Sequence, residues 1–190
     1  AVKKIEKKKR KRSPAPPFTT STLQQDASRK YRYTAKKTMM IAQKLYEGIE
    51  LGAEGSAGLI TYMRTDSVKI ASEAQKEARE FIVKEYGKDY APQKPPVYKS
   101  KKSAQEAHEA IRPTSIFRTP SEVKQFLEAD QHKLYKLIWE RFVASQMEAA
   151  QLEQTSIDIS AGPYLFRATG SVITFPGFMT LYIESTDNAK

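Results

Sequence analysis

The stretch Gly58-Leu-Ile-Thr-Tyr-Met-Arg-Thr-Asp-Ser67 lies between two amphipathic patterns and predicts a short buried strand. Successive side chains of a strand point to opposite faces, so Tyr62 and Arg64 would share one face, which Asp66 would join if the strand continued. A phenol beside a guanidinium suits attack on a phosphodiester, because the arginine can hold phosphate oxygens in a fork and favour a phenolate. The alternative is an ordinary strand with a packed tyrosine and a surface arginine.

Apolar residues spaced three and four apart predict helices on both sides of this stretch. Thr34 is a candidate N-cap for one helix, and Gly48 is placed to end it. A longer helix begins at Ser67 or Ser72 and reaches Tyr86. Further helices are predicted from about residue 20, over 103–112, from 121, and over about 132–147.

The character of the chain changes after residue 150. Residues 155–160 and 164–170 alternate apolar and polar side chains, as half-buried strands do, and residues 171–175 add another strand. The proline-rich residues 13–17 predict an extended connector near the other end. The economical arrangement brings both ends into one sheet-bearing unit, with the helical body as an insertion in it.

Composition narrows the function classes. The 190 residues and 39% hydrophobic content predict a folded chain with a real core, and the lack of cysteine excludes disulfides and thiolate metal sites. No run approaches the roughly 18 apolar residues of a membrane helix, so we expect no membrane partner. The chain begins with Ala rather than Met, and its first residues are typical of the middle of a protein sequence. We therefore expect an excised fragment.

The net charge of +10 is concentrated at one end. Residues 1–12 hold eight basic residues against Glu6 alone, which places seven of the ten net positive charges there. Such a run indicates a nucleic-acid contact, a localisation signal or a solvated segment, and these alternatives stay open.

His108 is the second candidate site residue. In the helix predicted over 103–112 it shares a face with Arg112, and the two cations would suit a phosphate. The pattern His-Glu-x-x-Arg lacks the second ligand of a zinc-protease motif, and no close acidic cluster suggests a Mg²⁺ site. We therefore expect no metal site in this chain. For a lone helical histidine, the alternative is a surface or satisfied core residue.

GLITYMRTDS at 58–67 and AQEAHEAIRPT at 104–114 together resemble the bacterial type IA DNA topoisomerases. Supporting matches are PPFTTSTLQQ at 16–25, KKTMMIAQKLYEG at 36–48 and LYKLIWERFVASQM at 134–147. The resemblance covers essentially the whole chain.

The resemblance implies roles for individual residues. Tyr62 would be the nucleophile that cleaves single-stranded DNA and forms a 5′-phosphotyrosyl bond. Arg64 would position the scissile phosphate, and His108 would lie near it. As further DNA-binding residues we expect Thr61 and Arg112, in addition to Arg64 and His108.

The resemblance also implies an α+β fold, in which a mostly helical, winged-helix-like domain over 19–148 is inserted into part of a β-rich arch formed by 1–18 and 149–190. Mg²⁺ and its acidic Toprim domain would lie outside this fragment. The implied partners are single-stranded and negatively supercoiled DNA and the remaining domains of the enzyme, in the cytoplasm and associated with the nucleoid. A non-catalytic single-strand-binding module, whose Tyr62 stacks on a base, is the alternative.

Overall fold

The computed structural model describes residues 1–98 and 108–183. Five helices and five strands occupy these ranges. The helices are α1 Thr20–Tyr31, α2 Ala35–Glu47, α3 Ser72–Tyr86, α4 Pro120–Val123 and α5 Ala129–Ser145. The strands are β1 Val2–Arg12, β2 Ile49–Glu50, β3 Ser56–Ala57, β4 Ala150–Ala161 and β5 Tyr164–Phe175. Short 3-10 turns follow several of them, at Gly52–Glu54, Lys88–Tyr90, Lys124–Phe126 and Gly177–Thr180.

The helices form one body around α5. The predicted inward side chains of α5 are all buried, and those predicted for α3 are buried as well, because both sets repeat at helical spacing. These are Leu134, Ile138, Phe142, Val143, Ala74, Ala78, Phe81 and Ile82. Thr34 caps α2 by accepting a hydrogen bond from the Lys37 amide, and Gly48 follows the last residue of that helix, as predicted.

A three-stranded antiparallel sheet extends from this body in the order β1-β4-β5. The β1 strand pairs with β4 from Lys4↔Asp158 to Arg12↔Ala150, so the two ends of the chain meet in one sheet. The β5 strand is continuous, whereas the sequence pattern divided it into two strands near residue 170. Helical body and sheet together make the architecture α+β, as predicted. The winged-helix likeness and the domain limits at 18/19 and 148/149 stay predictions.

A buried polar network joins both ends of the helical body. The Arg141 guanidinium donates to the Pro16 carbonyl (2.6 Å) and to the Tyr182 hydroxyl (3.3 Å), and Tyr182 donates to Asp26. Asp26, Arg141 and Tyr182 are each about 3% exposed. The connectors before α1 and after β5 are therefore fixed to α1 and α5 by the same side chains.

Two local predictions are wrong, and one predicted helix is present but short. Residues 58–67 form a loop rather than a strand, with bends at Met63 and Arg64 and only an isolated bridge between Ile60 and Pro113. Residues 108–112 are extended rather than helical, because Ile111 bridges to Phe18 and Pro113 removes a helical amide. The remainder of that predicted helix, residues 103–107, lies outside the described residues. The helix predicted from 121 is the single turn α4.

Candidate active site

The loop 58–67 is anchored along its first half. The Leu59 amide donates to the Leu45 carbonyl (2.7 Å), and the Thr114 hydroxyl donates to the Gly58 carbonyl (2.7 Å). A Cβ at position 58 would lie 2.6 Å from the Tyr46 carbonyl oxygen, so only glycine permits this close approach. The entry into the loop is thus fixed against the end of α2.

The second half is clamped by the start of α1. The Thr20 hydroxyl donates to the Met63 carbonyl (2.7 Å) and accepts from the Thr65 amide (2.9 Å), while the Thr20 amide donates to the Thr65 carbonyl (2.9 Å). These bonds replace the ladder of a sheet. They explain how a loop without strand partners holds a defined conformation.

The alternation predicted for a strand survives in this loop. Met63, Thr65 and Ser67 are buried, whereas Tyr62 and Arg64 lie on the exposed side, together with Asp66. Tyr62 is 41% exposed, which is unusual for so large a ring in an anchored loop. The tyrosine, the arginine and the aspartate therefore face solvent together, as the sequence predicted.

The extended segment 108–112 lies beside this loop. The Ala110 amide donates to the Lys69 carbonyl (2.9 Å), and the Thr61 amide donates to the Arg112 carbonyl (2.9 Å). His108 comes next to Tyr62, with 6.2 Å between ring centroids. The structure thus brings Tyr62 and His108 together, although it does so with an extended segment instead of the predicted helix.

An open cleft of about 520 Å³ adjoins Arg64 and His108. Its other walls come from the first turns of α1 and from the loop, and the lining residues are Thr20, Ser21, Gln24, Arg64, Thr65, Asp66 and His108. The amino end of a helix carries partial positive charge, and α1 has no acidic residue in its first turn to offset it. With the Arg64 guanidinium the cleft is suited to an anion, and Asp66 is the one carboxylate among the described residues of its wall.

Arg64 makes no hydrogen bond or ion pair with any residue of the described ranges. Its guanidinium is exposed at the cleft, so its donors stay available to a phosphate.

The other two expected DNA-binding residues are engaged inside the protein. The Thr61 hydroxyl donates its only proton to the Ala110 carbonyl (2.7 Å). Arg112 donates twice to one Glu109 carboxylate oxygen (2.8 and 3.0 Å) and once to the Pro113 carbonyl (3.0 Å). Its side chain is only 14% exposed. A DNA contact by either residue would require these bonds to break, and their DNA-binding role stays a prediction.

Sequence reasoning missed several residues of this site. Tyr46 was not singled out from the apolar residues of α2, but it is 40% exposed, and its ring packs edge-on against Tyr62 at 5.4 Å. Ser21 and Gln24 were attributed only to a helix start. A signal existed for both, because the hydroxyl-rich segment 19–22 is typical of an N-cap, where anions bind.

Within residues 1–98 and 108–183, the metal-ligating side chains are dispersed and the helices are short or polar. No three His, Cys, Asp or Glu side chains of these ranges come together in a way that could hold a metal ion. None of the helices there is long and apolar enough to span a membrane.

An exposed tyrosine beside a histidine, with the histidine and an arginine lining a cleft suited to anions, is compatible with chemistry on phosphodiesters. Comparison with known proteins makes the class specific: the chain belongs to the DNA topoisomerase family, whose model matches residues 1–190.

Two curated relatives are similar over nearly all of the chain. DNA topoisomerase 1 of Xylella fastidiosa, in strains Temecula1 and 9a5c, is 57% identical over 186 residues, which is 97% of this chain and 23% of each relative. Among solved structures, full-length topoisomerase I from Thermotoga maritima matches with a TM-score of 0.85 and 40% identity, over all of this chain and 30% of that one. The chain spans about a quarter of the length of the curated relatives.

Proposed function

We propose that this chain is the tyrosine-bearing part of a type IA DNA topoisomerase and that Tyr62 is its nucleophile. The observation that carries the proposal is the exposed Tyr62 on an anchored loop, with its ring beside His108 and the Arg64 cleft next to it. A purely structural tyrosine would not need a loop fixed on both sides that leaves the ring 41% exposed.

The reaction is a transesterification. The phenolic oxygen of Tyr62 attacks the phosphorus of a single-stranded DNA phosphodiester, and the bond from phosphorus to the 3′-oxygen breaks. The 5′-phosphate stays on tyrosine, while the 3′-oxygen leaves and takes up a proton. Attack of the free 3′-hydroxyl on the phosphotyrosine reverses the step, so the strand is resealed without ATP.

Two described residues serve this step. Arg64 holds the non-bridging phosphate oxygens and offsets the charge that develops on them, and its planar fork suits two oxygens at once. His108 lies beside the nucleophile and either binds the phosphate as a cation or accepts the phenolic proton as a neutral base. A phenol with an ordinary pKa near 10 needs such neighbours to react at neutral pH.

The rest of the enzyme supplies what this chain lacks. We assign relaxation of negatively supercoiled DNA to the full protein, with the remaining domains as partners, and expect none from this chain alone. We assign Mg²⁺ and the proton donor to the 3′-oxygen to an acidic domain outside this chain, as the resemblance to type IA topoisomerases implies. The enzyme would act in the cytoplasm, on the nucleoid.

The test is trapping of the covalent intermediate. The chain is combined with the remaining domains of its enzyme and Mg²⁺, single-stranded DNA labelled on the 5′-phosphate side of the cut is added, and the mixture is denatured. We expect a DNA-linked band that disappears with Tyr62→Phe. Tyr46→Phe, which changes the neighbouring exposed tyrosine, is the matched control and should retain the band.

The absence of an adduct under every complementation, together with binding of single strands, would instead identify a binding module whose Tyr62 stacks on a base.

A further inference from the structure

The strand β1 displays cations in a regular row. Its residues alternate faces, so Lys8, Arg10 and Arg12 lie on one face of the sheet, and all three are exposed. Same-face neighbours on a strand are about 6.7 Å apart. The three side chains therefore form a ladder of positive charge with a fixed spacing.

The neighbours of this ladder leave its charge largely uncompensated. The paired β4 residues are Gln154, Leu152 and Ala150, none of which is charged. Arg10 donates to the Gln154 amide oxygen (3.3 Å), which keeps its charge available. Among the described residues, Glu6 is the carboxylate that contacts this row, and it pairs with Lys8 at 3.1 Å and with Lys4 at 3.7 Å.

The opposite face of the sheet has a different character. Ile5, Ile157 and Ala168 are register neighbours there, and Ile159 pairs with Phe166 beside them. Phe166 is 59% exposed and Ile5 60%, so this face presents a contiguous apolar patch. Lys7, Lys9 and Lys11 lie on this face as well. Glu153 lies among them, because it pairs with Lys7 at 3.0 Å and is the register partner of Lys9. Arg10 and Arg12 have uncharged register partners, so the ladder face is the one better suited to a polyanion.

We propose that Lys8, Arg10 and Arg12 form a second DNA-binding site that holds a sugar-phosphate backbone outside the cleavage cleft. Consecutive phosphates along a DNA strand repeat at a distance close to the spacing of the ladder, so one phosphate can meet each cation. The arginines can bind two phosphate oxygens at once. The contact carries no base readout, because every group involved recognises phosphate.

The site is separate from the cleft in sequence and in structure. It lies in the sheet that extends from the helical body, whereas the cleft is walled by α1, the loop 58–67 and His108. DNA as the ligand rests on the proposed function. The tests therefore measure binding and cleavage independently.

The first test compares two triple variants of the chain by anisotropy of a fluorescent oligonucleotide over a salt series. Lys8→Gln/Arg10→Gln/Arg12→Gln removes the ladder. Lys76→Gln/Lys88→Gln/Lys133→Gln removes three exposed lysines of the helical body and changes the net charge equally. Circular dichroism checks that both variants fold.

We expect the ladder variant to bind at least about ten-fold more weakly at low salt. The slope of log affinity against log salt should fall by about 2 for a single strand and by about 3 for a duplex. The control should bind nearly as the unmodified chain does. Equal losses in both variants, or none in the ladder variant, would overturn the proposal.

A second variant tests the site by gain of binding. Glu6→Gln removes the carboxylate that neutralises Lys8, and no folding defect can mimic a gain in affinity. We expect a few-fold tighter binding of the same oligonucleotide. Unchanged or weaker binding by Glu6→Gln would contradict the ladder.

Single-stranded and duplex oligonucleotides are separate arms of both tests. If the ladder variant loses affinity for one form alone, that form is the DNA that the site holds. If it loses affinity for both forms, the site binds sugar-phosphate backbones in general. In the complemented cleavage assay, the ladder variant should still form the Tyr62 adduct at saturating DNA. If the ladder variant forms the adduct and also binds the oligonucleotide as tightly as the unmodified chain, this proposal is rejected and the proposed function is left intact. If the unmodified chain forms no adduct, the proposed function is rejected.

Discussion

At the scale of single residues, the sequence was sufficient to single out Tyr62 and Arg64. Both lie in one short stretch, where the alternation of side chains and the family motif are visible without the structure. The alternation of loop 58–67 puts both side chains on the exposed side, and it does not depend on sheet pairing. The neighbours that complete the site come from distant segments. Tyr46 carried no local pattern that separates a site residue from a helix face, so only its position in space assigns it to the site.

Substitution of Arg64 should affect cleavage and leave folding intact. Arg64→Ala removes the phosphate clamp, and we expect adduct formation in the complemented assay to fall by about 10²-fold. Adduct formation by Arg64→Lys should lie between that of the unmodified chain and that of Arg64→Ala, because lysine keeps the charge but lacks the planar fork of donors. The free energy of unfolding should change by less than about 0.5 kcal/mol, since Arg64 bonds to no described residue. A large loss of melting temperature would show that Arg64 is structural.

At the scale of elements, the loop 58–67 shows why the strand prediction failed. Its apolar residues are buried, and its amides bond to α2, to the segment 110–114 and to the Thr20 hydroxyl in place of a neighbouring strand. A buried extended segment has the same sequence pattern as a strand, because both alternate side chains. Whether a ladder forms depends on which segments fold beside it.

The Thr20 clamp should therefore be required for both stability and cleavage. Thr20→Val keeps the shape but leaves the Thr65 amide and the Met63 carbonyl without their hydroxyl partner. We expect a loss of about 1–3 kcal/mol in urea unfolding and weaker adduct formation. Thr20→Ser retains the hydroxyl and is the control. Equal stability of the valine and serine variants would show that the hydroxyl does not hold the loop.

Tyr98 links the segment before residue 99 to the end of α5 by donating to the Ser145 carbonyl (2.8 Å). Burial raises the pKa of Tyr98 to about 12, from an ordinary phenol value near 10. The unfolded phenol loses its proton near pH 10 and the folded one only near pH 12. The contribution of Tyr98 to stability is thus complete below pH 10 and is lost as pH rises towards 12.

Urea unfolding between pH 9 and pH 12 measures this effect. We expect the unmodified chain to lose at most about 2–3 kcal/mol more over that interval than Tyr98→Phe, which has no phenolic proton to lose. Lysine titration is common to both proteins and cancels in the comparison. Parallel pH profiles would show that the Tyr98 hydroxyl titrates as a solvated phenol.

At the scale of the whole molecule, the network of Asp26, Arg141 and Tyr182 determines how the sheet is connected to the helical body. The Arg141 guanidinium also lies over the ring of Phe18, at 4.9 Å from its centroid. One buried side chain thus contacts both connectors. Residues from α1, α5 and the two connectors meet there, although they are far apart in sequence.

Removal of Arg141 should be among the most destabilising changes in the chain. Arg141→Met leaves the buried Asp26 without this neighbouring cation, and we expect a loss of about 3–5 kcal/mol in urea unfolding. Tyr182→Phe removes one hydrogen-bonding hydroxyl and should cost about 1–3 kcal/mol. The double variant should lose less than the sum, because both residues belong to one network. Strict additivity would show that the two residues act separately.

The sequence by itself determined the α+β class, most helix limits and the exposure of Tyr62 and Arg64, because caps and periodicity act over a few residues. It also placed His108 in the site through a family motif. Only the tertiary structure decided that 58–67 is a loop joined side by side to the extended segment 108–112, that α1 supplies the cleft wall, and that Arg141 fixes both connectors. These features depend on contacts between segments far apart in the chain, whose hydrogen-bond partners no local pattern specifies.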